Sequence, residues 1–121
     1  MTTLPAPVTA LLVIDVQAAF VAGDAAALTA VGVRALAVCG VMSEMCVLAA
    51  ARRALELDYR LVLPHDAHAT YDIPAAPDIS DVVPAAMASR VAEWALGDEV
   101  EIVARAANVS FANPSATTRT A

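Results

Sequence analysis

Four short, largely apolar runs, each cut off by a polar or chain-turning residue and separated by helix-like stretches, limit what this sequence can fold into. Leu11–Ile14 stops at Asp15, Ala35–Cys39 at Gly40 and Arg60–Leu63 at Pro64; Val100–Val103 follows a long helical stretch. Runs that are apolar throughout, rather than at alternate positions, mark strands covered on both faces. Strands that alternate with helices imply an α/β domain with a parallel sheet and right-handed crossovers. The stretch from Asp15 to Arg34 meets the ~12 residues such a crossover needs.

The intervening segments support this reading. Residues 44–57 carry the best helical pattern, with Val47, Ala50, Ala51 and Ala54 as an inward stripe and Arg52, Arg53 and Glu56 facing water. Residues 80–96 predict a second helix with Val83, Met87, Val91 and Trp94 as its apolar stripe, Pro84 confined to its first turn and Gly97 ending it. Ala25–Ala30 has weaker helical character, with Asp24 as a cap. Residues 1–9 read as a lead-in, and the Ser/Thr/Pro/Ala content from Ala112 onward reads as a disordered tail. The expected organisation is one domain over residues 1–111 and a tail over 112–121.

In open parallel sheets, ligands bind outside the carboxyl ends of the strands. Asp15, the stretch from Gly40 to Cys46 and the polar loop 65–72 all fall at that edge. Ser43 is suited to cap the helix, which would put Cys46 in the first turn, where free amides and the positive end of the helix dipole favour a thiolate. The alternative is an inert buried cysteine. Asp15 reads either as a site acid or as a loop cap, and Cys39 reads as core. His65 and His68 are spaced too loosely to argue a metal, and Asp66 is expected to order its loop.

Composition narrows the function. A formal net charge of −6 and a pI near 4.6 argue against nucleic acid as a partner. The sequence is 60% hydrophobic, yet nothing approaches the ~20 apolar residues of a membrane span, so the expected location is cytoplasmic. All seven basic residues are arginine, and there is no lysine. A receiver-like phospho-acceptor domain would need a lysine and clustered acids, and both are wanting.

LLVIDVQAAF, GVMSEMCV and ARRALELDYRLVLPHDAHATYD together resemble the isochorismatase-like cysteine hydrolases, which include nicotinamidases, N-carbamoylsarcosine amidohydrolase-like enzymes and isochorismatases. The resemblance runs over most of residues 9–111. It implies a three-layer, Rossmann-like α/β fold with a parallel sheet, here truncated to about four strands in the order in which they occur. It also implies hydrolysis of amide-like bonds of a small molecule without a cofactor, and a homo-oligomer. Asp15 matches the family's catalytic aspartate and Cys46 its nucleophile. The family's non-proline cis peptide would fall at Val41–Met42, with the amides of Met42 and Cys46 as the oxyanion hole. Gln17, Phe20 and Ser43 would line the substrate pocket.

The triad lysine has no counterpart. Asp15 and Cys46 are 31 positions apart, and the family segment that carries the lysine and the metal-binding histidines is expected to be missing. Arg34 stands at the wrong end of its strand to replace the lysine. Two functions therefore compete: a cysteine hydrolase with impaired activity, or an inactive remnant that serves as a binding or oligomer-partner subunit.

Overall fold

The computed structural model describes residues 2–5, 9–14 and 27–112. Among these residues, seven strands and two longer helices occur in the order β1 (Thr2–Pro5), β2 (Thr9–Ile14), β3 (Ala35–Val41), α1 (Leu48–Glu56), β4 (Arg60–Pro64), β5 (His68–Ala69), α2 (Ala85–Ala95), β6 (Val100–Val103) and β7 (Val109–Ala112). The main sheet is parallel and runs β2-β3-β4-β6, with β5 pairing onto the end of β3. The four apolar runs therefore become four neighbouring strands in chain order.

The residues that make each strand also decide what it packs against. On one face of the sheet Leu36, Val38, Leu61 and Leu63 are almost wholly buried, clustered with Val47, Ala50, Ala51 and Ala54. The small side chains of that helical stripe let α1 lie close to the sheet, while Arg52, Arg53 and Glu56 stay exposed. The opposite face is thinner: Ala35, Ala37 and Val62, with Val103 and Val109 packed against them. Asp58 ends the first helix with φ 64°, the left-handed position where glycine is usual and where aspartate is among the better-tolerated substitutes.

Three expectations need correction. Residues 2–5 are not merely a lead-in: β1 pairs in parallel with β7, in register from Thr2 with Val109 to Pro5 with Ala112. The strand thus takes in Ala112, and the rest of the expected tail, like Asp24, lies outside the described residues. Second, α2 begins at Ala85, because Pro84 keeps an extended backbone and Val83 pairs instead with Ile73. Asp72 accepts a hydrogen bond from the Ala85 amide at 2.7 Å and so caps the helix in place of a residue of its own.

Third, the apolar stripe of α2 faces outward. Met87, Val91 and Trp94 are 56%, 58% and 77% exposed, and the inward face is Ala88, Ser89, Ala92 and Glu93. Small residues allow close approach there, and Glu93 finds polar partners inside, described below.

One side-chain strap joins the two sheets. The Thr2 hydroxyl donates to Glu101 at 2.7 Å, and Arg60 reaches the other carboxylate oxygen at 3.1 Å. The Thr2 hydrogen bond, with the Arg60 interaction adding to it, holds the Glu101 carboxyl below the usual carboxylate range. A lowered folded-state value stabilises the fold above the ordinary carboxylate range, and that contribution disappears as pH falls through the folded value. Glu101→Gln should therefore flatten the acid limb of the stability curve, by no more than about 1 kcal/mol because the group is half exposed. Urea titrations between neutral and acid pH check this.

Candidate active site

The site is assembled at the carboxyl ends of the strands. Ile14 pairs with Gly40, so β2 ends beside the point where β3 turns into the helix. Gly40 adopts φ 125°, a conformation an L side chain rarely takes, and the Val41–Met42 peptide bond that closes the strand is cis. β5 closes the other flank, with His68 opposite Gly40 and Ala69 opposite Val41.

The helix starts differently from the expectation. Met42 holds the cap position in extended conformation, and its carbonyl accepts from the amides of Met45 at 3.1 Å and Val47 at 3.2 Å. The second of these spans five residues, so Ser43–Val47 forms a widened, π-type turn before α1 begins. Such turns are frequent at functional sites. Ser43 does not cap. Its hydroxyl is buried and engaged with His68 Nδ1 at 2.7 Å and Ser89 Oγ at 2.8 Å.

Cys46 sits half-buried on this turn, against the edge of the main core. Cys39, inside β3, is also partly buried, and burial pushes its thiol up. Glu44 accepts from the Thr70 hydroxyl at 2.8 Å through one oxygen, while its second oxygen is buried with no hydrogen-bond partner among the described residues. Asp66 accepts from the Ala106 amide at 2.7 Å and so ties its loop to the segment after β6. Arg34 lies just ahead of β3, at the amino end of the sheet and away from this cluster. Asp15, Gln17 and Phe20 lie outside the described residues.

A second set of polar side chains adjoins the turn. His68 Nε2 lies 2.9 Å and His65 Nδ1 2.7 Å from the same oxygen of Glu93, and Arg90 lies 3.5 Å from the other. His68 and Glu93 are buried and His65 is half exposed. Ser89, Ser43, His68, Glu93 and His65 thus form one continuous polar chain from the interior to the surface. Reading the sequence missed Glu93, which lies on a helix whose apolar spacing points the other way. The usable signal was its place beside Ala88, Ser89 and Ala92, a face of small residues.

A model of the isochorismatase domain matches residues 25–93, more than half of the sequence. The chain belongs to the isochorismatase family. Over 92 residues, 76% of its length, this isochorismatase-family domain is 76% identical to a streptothricin hydrolase of Streptomyces noursei, of which it covers 33%. A second streptothricin hydrolase of that organism is 75% identical over 85 residues, 70% of the domain and 34% of the relative. The domain thus spans about a third of the length of these curated relatives.

Solved structures give the same fold. A crystal structure of an isochorismatase family protein superposes with a TM-score of 0.57 at 23% identity, over 68% of this chain and 46% of that one. A cysteine hydrolase from Pseudomonas syringae pv. phaseolicola 1448A gives a TM-score of 0.58 at 22% identity, over 71% and 37%. Among the described residues, no helix is long and apolar enough to cross a membrane.

Proposed function

We propose that this isochorismatase-family domain hydrolyses an amide-like bond of a small molecule through Cys46, with streptothricin as the first substrate to test. One observation carries the reading: Cys46 stands half-buried on a widened first turn at the carboxyl edge of a parallel sheet. The 76% identity to a streptothricin hydrolase supports the choice of substrate.

In this mechanism Asp15 takes the proton of Cys46, and the sulfur attacks the substrate carbonyl carbon. The amides of Met42 and Cys46 hold the oxyanion, and the carbon–nitrogen bond breaks as Asp15 returns the proton to the leaving amine. Water then cleaves the thioester and frees the carboxylic acid and the thiol. With no lysine in the sequence to stabilise the thiolate and steady Asp15, turnover is slow.

A second reading, a non-catalytic partner subunit, draws support from the outward apolar stripe Met87, Val91 and Trp94. Alkylation with iodoacetamide at neutral pH, beside product analysis after incubation with streptothricin, separates the two. The enzyme reading expects fast labelling confined to Cys46, with Cys39 slow because its raised thiol holds little thiolate, and measurable product. Ordinary slow labelling of both thiols without product leaves only the partner subunit.

A further inference from the structure

We propose that His65, His68 and Glu93 form a divalent transition-metal site, best suited to zinc, separate from the proposed Cys46 chemistry. The three side chains come from different places: His65 opens the turn after β4, His68 starts β5, and Glu93 lies in the last turns of α2. Yet one nitrogen of each ring and one carboxylate oxygen all lie within 4.8 Å of one another. Two imidazoles and a carboxylate are a donor set that zinc favours, and a site with three protein ligands leaves a fourth position for water.

The surroundings are those of a held site rather than a chance cluster. The far nitrogen of His68, Nδ1, is fixed by the Ser43 hydroxyl at 2.7 Å, and Ser43 is fixed in turn by Ser89. Histidine ligands in metal sites are oriented through their second nitrogen in this way. Glu93's other oxygen faces the Arg90 guanidinium at 3.5 Å, which leaves a single oxygen for a metal. Side-chain exposure is 0% for His68 and 1% for Glu93, so two ligands are held in the protein interior. His65, at 49%, is the movable one. It borders an open cleft of about 380 Å³ shared with Arg90, Glu93, Ile102 and Ala104, which provides the entry path.

The hydrogen bonds already in place suit a ligand role. The Ser43 hydroxyl, itself held by Ser89, can accept from His68 Nδ1 while Nε2 ligates an ion. The two N···O separations of 2.7 and 2.9 Å must open by a few tenths of an ångström to span an ion with ligand bonds near 2.0–2.1 Å. A small swing of His65 supplies this.

The test uses untagged protein titrated with zinc chloride by calorimetry, and with cobalt(II) for its visible ligand-field bands. Saturable one-to-one binding is expected, with a raised melting temperature. His65→Ala, a half-exposed position whose loss spares the core, should weaken zinc binding by at least about 100-fold, beyond the about 10–100-fold cost of losing an outer-shell partner. Glu93→Gln should do the same with its circular dichroism unchanged. The Cys39→Ser/Cys46→Ser double variant should bind as the parent does, which excludes the thiols as ligands and keeps the result independent of the catalytic reading. Absence of saturable binding, or binding unchanged by His65→Ala, overturns the proposal.

Discussion

Glu93→Ala should lower the unfolding free energy by about 1–3 kcal/mol, the cost of leaving a buried hydrogen-bonding side chain without its partner. Against a total of about 5–15 kcal/mol for a domain, that is a large share. Glu93 is 2% exposed and answers to three side chains at once: His65, His68 and Arg90. Without it, the fully buried His68 keeps Ser43 but loses its partner on the other side, and α2 loses the polar anchor that draws its alanine face inward. Two controls separate this from general damage. Glu93→Gln, which keeps the shape and one acceptor oxygen, should cost clearly less. His65→Ala should cost no more than about 1 kcal/mol, since that ring is half in water. Urea unfolding followed by circular dichroism gives all three. A cost below about 1 kcal/mol for Glu93→Ala would mean that the network is not what seats the helix.

That network also shows where the sequence was legible and where it was not. Leu36, Val38, Leu61 and Leu63 announced themselves because a strand buried in a parallel sheet needs apolar residues in succession. The stripe Val47, Ala50, Ala51 and Ala54 did so because only one face of that helix is uncharged. In α2 the same logic points to the wrong face. Met87, Val91 and Trp94 have helical spacing, but spacing shows that a stripe exists and not what it faces; the exposed stripe is the bulkier of the two. The buried face carries a glutamate, whose burial depends on histidines 25 and 28 residues away in sequence, and no local pattern records such a partnership. Ser43 failed as a cap for a similar reason: its hydroxyl was taken by His68, a residue brought alongside only by the pairing of β5 with β3. At Cys46, local sequence marked the strand end at Gly40 and the start of a helix, whereas the cis peptide at Val41–Met42 came only with the family resemblance and the widened turn was not foreseen; Asp15, Gln17 and Phe20 lie outside the described residues.

The other large effect concerns the sulfur itself. Cys46→Ala should reduce streptothricin hydrolysis to the rate of buffer, a loss of at least about 10³-fold. Removing the nucleophile from a fully equipped hydrolase costs up to about 10⁶, and the smaller figure follows from the slow turnover proposed for a sequence without lysine. Cys39→Ala should leave the rate within about twofold, since that thiol belongs to the interior of β3 and holds its proton. The contrast between the two cysteines matters more than either value. A nucleophile depends on where the strand ends and the widened turn begins, and only one of the two thiols stands there.

Covalent capture tests the reading most directly. The protein is mixed with streptothricin, quenched in acid at successive times, and weighed intact before digestion to locate any adduct. A transient acyl adduct on Cys46, absent from Cys46→Ala, is the predicted result. Product formation at an unchanged rate in Cys46→Ala, with no adduct on either thiol, would contradict it.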